Sequence, residues 1–168
     1  TYEHAGGIVG TNAGIVSVNY CWSSGGIFGK YCGGIIGSNA YNVEINSCYS
    51  KGNITGNYCG GIIGLNPGIS ICNINNCYSE GDISGNHSGG ISSGNYNDSD
   101  SASRIYCNIY NCYTIGAIND TCGGIMGKLD NSYLVNISNC YVSGLNNNNI
   151  NDNESKTGYI VAGVSEIN

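Results

Sequence analysis

The sequence predicts an all-β fold, a parallel β-solenoid in which a unit of about 27–35 residues recurs five times with a degenerate sixth copy. Three observations carry this prediction. A Gly-Gly-Ile triplet begins at Gly6, Gly33, Gly60, Gly89 and Gly123. A Cys-aromatic pair begins at Cys21, Cys48, Cys77, Cys112 and Cys140, interleaved with the first series. From each Cys to the next triplet is 12, 12, 12 and 11 residues, whereas from triplet to Cys is 15, 15, 17, 23 and 17. Length variation therefore collects in one connection, as it does when insertions bulge from a single corner of a stacked structure.

Each unit holds three short segments of β character, read most clearly in the second copy as 33–37 (GGIIG), 43–50 (VEINSCYS) and 52–56 (GNITG). Runs of this length, rich in Ile and Val and bounded by Gly or Asn, favour strands, and no helical period survives. Three strands per coil predict a triangular cross-section, with coils about 4.8 Å apart. Parallel crossovers favour a right-handed coil. Apolar residues fall into columns: Ile8, Ile35, Ile62, Ile91 and Ile125; Val18, Ile45, Ile74, Ile109 and Ile137; and Ile27, Ile54, Ile83 and Ile118. Stacked branched side chains fill a narrow core without voids. Asn76, Asn111 and Asn139 are placed to form an amide ladder at a bend. Residues 158–163 (GYIVAG) read as the worn sixth copy, after a 146–149 Asn run expected to form a surface loop.

The 168 residues are expected to form a single repeat domain, and since Thr1 falls in mid-repeat the chain reads as a processed product or part of a longer array. Charged residues make up 10% of the chain, 28 residues are Gly, and the net charge is −6. An apolar content of 40%, fixed in register, argues against disorder. The acidic balance, with five basic residues, argues against nucleic-acid binding. No apolar run approaches the length needed for membrane insertion.

The ten cysteines also form columns. The first is Cys21, Cys48, Cys77, Cys112 and Cys140. The second is Cys32, Cys59 and Cys122, with Ala5 and Ser88 in the other copies. The third is Cys72 and Cys107, where other copies carry Val16, Val43 and Val135. Exchange with Ala, Ser and Val is the behaviour of small buried residues, so reduced core cysteines acting as small hydrophobes are expected. Disulfides are the alternative, since in-register Cα atoms lie within bridging range, although parallel Cβ vectors suit the dihedral poorly. Free thiols would imply maturation in a reducing compartment. Lack of a CxxC pair, with only His4 and His87 as imidazoles, argues against a metal centre.

Catalytic patterns are sparse, and the expectation is a protein that is not an enzyme and needs no cofactor. His4 and His87 share a column with Tyr31 and Tyr58, the pattern of a surface ladder. Glu44, Glu80, Asp82 and Asp120 show no spacing that pairs carboxylates. In the 95–104 insertion (NYNDSDSASR), Asp98 and Asp100 offer calcium ligands or simply a solvated loop. Six Asn-x-Ser/Thr sequons stand at Asn53, Asn86, Asn97, Asn119, Asn136 and Asn153. Roughly four would arise by chance in so Asn-rich a chain, so they do not decide secretion. Trp22, Tyr49, Tyr78, Tyr113 and Tyr141 each follow a cysteine, so strand alternation points them outward if the Cys points in. This strip suits sugar rings or a partner protein. Equally, it is an aromatic ladder that stabilises stacked coils.

The unit resembles the GLUG-type repeat, in which a GGxxG strand precedes a Cys/Ser-Tyr-Ser/Ala-x-Gly-x-Ile/Val-x-Gly segment. The best matches are 33–37 with 48–56 and 60–64 with 77–85, and the resemblance covers most of 6–143. The long fourth insertion, Ser92 and Ser93 at the end of the fourth GGxxG, and the eroded last copy depart from it. The resemblance implies no catalytic residues. It implies a part of a large surface, adhesin-like or secreted protein. Cys-rich versions are similar to repeat proteins of giant viruses, which fits reduced cysteines and a virion location. The expected function is a stalk, fibre or surface-display or adhesive element at a cell surface, in an extracellular filament or on a virion. The alternative is a carbohydrate-binding or carbohydrate-cleaving β-helix. Open solenoid ends expose strand edges, so end-to-end self-association or continuation of the array is expected.

Overall fold

The structure, a computed structural model, describes residues 3–11, 14–38, 41–64, 71–94, 105–119, 121–129, 133–144 and 161–162. Among these residues the chain is all-β. Five longer strands, β1 (Ile15–Asn19), β3 (Asn42–Asn46), β5 (Ile71–Asn75), β7 (Ile105–Tyr110) and β10 (Tyr133–Ser138), stack in that order into one sheet. Five two-residue strands, β2 (Trp22–Ser23), β4 (Tyr49–Ser50), β6 (Tyr78–Ser79), β8 (Tyr113–Thr114) and β11 (Tyr141–Val142), stack beside them. A third pairing joins β9 (Met126–Lys128) to β12 (Val161–Ala162). Every pairing is parallel, so the chain winds as a β-solenoid of about four turns.

The coil differs from the three-strand expectation in how it turns. The 43–50 segment, continuous in sequence, breaks at Ser47, whose φ of 54° lies in the left-handed region. The same break recurs at Tyr20, Asn76, Asn111 and Asn139, each immediately before a first-column cysteine. A second left-handed column, His4, Tyr31, Tyr58 and His87, precedes Ala5, Cys32, Cys59 and Ser88. The three Asn residues and the two His suit this conformation by type, whereas Tyr20, Tyr31, Ser47 and Tyr58 do not. The other two expected strands shrink mostly to isolated bridges, one per coil in the Ile27 column and two in the triplet segment, where Val9, Ile36, Ile63, Ser92 and Met126 also pair. Ile27, Ile54, Ile83 and Ile118 bridge in succession, as do Gly6, Gly33, Gly60, Gly89 and Gly123.

Register confirms the columns residue by residue. Val16, Val43, Cys72, Cys107 and Val135 align, as do Val18, Ile45, Ile74, Ile109 and Ile137. These residues join Ile35, Ile62, Ile91 and Ile125 in the larger core cluster, while Ile27, Ile54, Ile83 and Ile118 line a smaller one with Cys32, Cys59 and Cys122. Eleven isoleucines are fully buried, and each such burial stabilises by about 1.5–3 kcal/mol relative to exposure. The second glycine of each triplet is dictated by close packing. A Cβ at Gly34, Gly61 or Gly90 would strike the next coil's glycine carbonyl and the Ser50, Ser79 or Thr114 hydroxyl.

All ten cysteines are free thiols, eight of them buried. Their burial bears out the expectation of reduced core cysteines, and in the first two columns the thiols are hydrogen-bonded as well. In these two columns a left-handed residue precedes every Cys but Cys122 and interrupts the regular strand ladder, and the thiols satisfy the backbone there. The amide of Cys21 donates to Cys48 Sγ, that of Cys48 to Cys77 Sγ, and that of Cys112 to Cys140 Sγ, each at 3.4 Å. In the second column Cys32 N–H donates to Cys59 Sγ at 3.3 Å. Cys59 N–H then donates to Ser88 Oγ at 3.0 Å, so a hydroxyl serves where a thiol stands elsewhere. The Sγ atoms lie near carbonyls in turn, as Cys59 does to Gly29 O at 3.1 Å and Asn57 O at 3.3 Å.

Asn139 Nδ2 donates to Asn111 Oδ1 at 3.3 Å, as the amide ladder requires, but Asn111 Nδ2 continues to Asn75 at 3.1 Å rather than to Asn76. The sixth copy is represented by Val161–Ala162, which lies against β9 where a following triplet segment belongs. Ser92 and Ser93, the departures from the repeat pattern, are buried, and Ser92 keeps its bridges to Ile63 and Met126. The 95–104 insertion with Asp98 and Asp100, and the 146–149 run, lie outside the described residues.

Candidate functional site

Trp22, Tyr49, Tyr78, Tyr113 and Tyr141 occupy the first position of the five two-residue strands, and Ser23, Ser50, Ser79, Thr114 and Val142 occupy the second. Because strand side chains alternate, burial of the second residue directs the first to solvent. Ser50, Ser79 and Thr114 are fully buried, while Trp22 and Tyr141 at the ends are each 55% exposed. Parallel in-register pairing then sets the rings face to face. Centroids are 5.9 Å apart for Trp22–Tyr49, 4.7 Å for Tyr49–Tyr78, 4.8 Å for Tyr78–Tyr113 and 5.1 Å for Tyr113–Tyr141. The two central pairs are tilted by only 3° and 2°. Burial against neighbouring rings raises the Tyr78 and Tyr113 phenols above their ordinary range. Lys51 Nζ sits 5.5 Å from the Tyr49 centroid and 3.3 Å from Glu80 Oε2.

The His4, Tyr31, Tyr58 and His87 column is a second ladder. Its centroid spacings are 5.1, 5.5 and 5.1 Å, with interplanar angles of 22°, 36° and 35°. Lys30 Nζ lies 4.5 Å from the Tyr31 centroid. Burial, and then the charge of Lys128, lower the His87 pKa and favour its neutral imidazole. Stacking describes both histidines: His4 lies against Tyr31, and His87 against Tyr58.

Chemically, the first ladder offers solvent a row of ring edges and phenol groups rather than ring faces. A sugar platform works through a ring face, and here each inner ring has a neighbour on both sides. Only the outer faces of Trp22 and Tyr141 end the stack. Among the described residues, no group of three or more His, Cys, Asp or Glu side chains could hold a metal ion. No helix among them is long and apolar enough to cross a membrane. A cavity of about 330 Å³ lies at the first coil, where Gly6, Gly7, Gly25 and Gly26 surround Ile27 and Cys32 at the open end of the smaller core.

One surface feature escaped the sequence reading. Ile15, Asn42, Ile71, Tyr106 and Leu134 share an outward column on the long strands, and the four apolar members are 83%, 48%, 46% and 51% exposed in chain order. Its signal was present as an apolar residue at the start of most long strands. Asn42 interrupts the column, and the variable connection shifts its spacing from one copy to the next. Comparisons of the chain with family models, curated proteins and solved structures found no match.

Proposed function

We propose that this chain is a non-enzymatic structural repeat, a rigid solenoid segment of a stalk, fibre or surface-display element. The observation that carries the reading is the aromatic strip's use of its own faces. With the central rings 4.7 and 4.8 Å apart, the strip supports coil stacking rather than ligand stacking. The thiol, isoleucine and glycine columns serve the same end, so repetition extends through core, corner and surface alike. The motif resemblance to GLUG-type repeats favours a cell-surface, filament or virion setting and an adhesive role for the whole. Ile8 is 47% exposed at the first coil whereas Ile35, Ile62, Ile91 and Ile125 of its column are fully buried, which favours extension there, by self-association end to end or by continuation of the array.

Electron microscopy of the concentrated chain tests the self-assembling form of this proposal. Rods that lengthen with concentration are expected, and monodisperse short particles at every concentration would count against it. The carbohydrate-binding or carbohydrate-active alternative keeps the free faces of Trp22 and Tyr141 as its contacts. A glycan array decides between them. The structural reading expects no binding, whereas binding abolished by Trp22→Ala or Tyr141→Ala would establish the alternative.

A further inference from the structure

We propose that the Tyr49–Tyr78–Tyr113–Tyr141 column is an oxidative cross-linking site, at which a one-electron oxidant of the haem-peroxidase class joins neighbouring tyrosines into dityrosine and staples one coil to the next. The inference stands on ring geometry and holds whether or not the chain forms fibres. Coupling needs two phenoxyl radicals side by side, and proximity is the scarce requirement for a bimolecular step. Here it is built in. Tyr49 pairs in register with Tyr78, and Tyr78 with Tyr113, with centroids 4.7 and 4.8 Å apart and nearly parallel rings. Rotation of both rings about χ2, with slight splaying of the Cβ atoms, brings ortho carbons together while the backbones stay one coil apart. The ring edges that carry the hydroxyls face solvent, where a radical-generating oxidant reaches them.

The chemistry balances as follows. Each of two phenols loses one electron and one proton to the oxidant, giving two phenoxyl radicals. These join through one new bond between ortho carbons. Each coupled ring then transfers its ortho hydrogen to its oxygen, which restores both phenols. The protein loses two hydrogen atoms per cross-link, and one hydrogen peroxide is reduced to two waters. The thiols do not compete on equal terms, because eight of the ten are buried in the core while the tyrosine ring edges meet solvent. The second ladder is less suited, since Tyr31 and Tyr58 are 5.5 Å apart and inclined by 36°.

The test treats the dilute folded chain with a haem peroxidase and hydrogen peroxide, then maps cross-linked peptides by mass spectrometry. Expected are intrachain Tyr49–Tyr78, Tyr78–Tyr113 and Tyr113–Tyr141 links, each two hydrogens lighter than the parent peptides, in a product that migrates as a monomer. Tyr78→Phe should leave Tyr113–Tyr141 as the one link in this column, with Tyr113→Phe then removing it. Links confined to exposed Tyr20 and Tyr41 (83% and 54% exposed), joining separate chains, would overturn the proposal. So would in-column links formed in equal yield by the urea-unfolded chain, because the fold would then contribute nothing.

Discussion

Replacing Cys59 by serine, alanine and valine separates a hydrogen-bonding account of the thiol columns from a packing account. Cys59 is fully buried, accepts the Cys32 amide at 3.3 Å, and lies 3.1 Å from Gly29 O. Alanine removes the sulfur and leaves the Cys32 N–H without its acceptor. An orphaned buried amide costs about 1–3 kcal/mol, and the lost packing raises the total to about 2–4 kcal/mol. Valine restores apolar volume but not the acceptor, and its branch crowds a filled core, so a similar loss is expected. Serine keeps both donor and acceptor. Ser88 already does so one coil on, accepting Cys59 N–H at 3.0 Å and donating to Gly56 O at 2.8 Å. Cys59→Ser should therefore cost no more than about 1 kcal/mol. Urea denaturation followed by circular dichroism gives the order directly. If serine proved the most damaging and valine the mildest, Cys59 would be a hydrophobe and the ladder account would fail.

Four further outcomes follow from the same structure. Cys59 has its pKa raised from 9.0 to about 12 by burial, so the folded state holds that proton more tightly than the unfolded chain. Its contribution is complete below pH 9 and declines as pH rises toward 12, and the thermal midpoint should fall across that window. Alkylation with iodoacetamide at mildly alkaline pH should spare the eight buried thiols of the native chain and modify all ten after unfolding, counted by mass. Gly61→Ala drives a Cβ into the Gly90 carbonyl and the Ser79 hydroxyl, and should cost about 1–3 kcal/mol or more in urea titrations. Ser79→Ala removes a buried hydroxyl that has no hydrogen-bond partner, so stability should hold or rise by up to about 1 kcal/mol.

Spacing made the solenoid legible because each column is one residue type repeated at one interval. Ile45 and Ile74, for example, are read as neighbours as soon as the Gly-Gly-Ile and Cys series are aligned, and the register places them together. The corners were not legible. Tyr20, Ser47, Tyr31 and Tyr58 are unremarkable in sequence, and they adopt positive φ because the flanking columns fix both strands around them. The split of 43–50 into two strands depends on that torsion, which periodicity does not encode. Ser88, standing where other copies have Cys, was the available sign that the thiols act as polar groups. It reads equally well as a small-residue exchange until Cys59 N–H is seen to point at it. The aromatic strip's outward direction followed from alternation. Its face-to-face packing depends on the parallel register that joins Tyr49 to Tyr78 and Tyr78 to Tyr113.

Distance across the stack tests the central claim, that the repeats are coils aligned in register along one axis. Ser17, Glu44, Asn73, Asn108 and Asn136 form one outward column, and Ser17 and Asn136 are both exposed. Nitroxide labels placed at these two positions through a non-canonical amino acid leave the native thiols untouched. Four coil spacings separate them, so pulsed electron resonance should give a narrow distribution centred near about 19 Å. Moving the second label to Asn108 should shorten the distance by one spacing, to about 14 Å. Broad distributions, or a distance unchanged by that move, would contradict the stacked solenoid and every role assigned to its ladders.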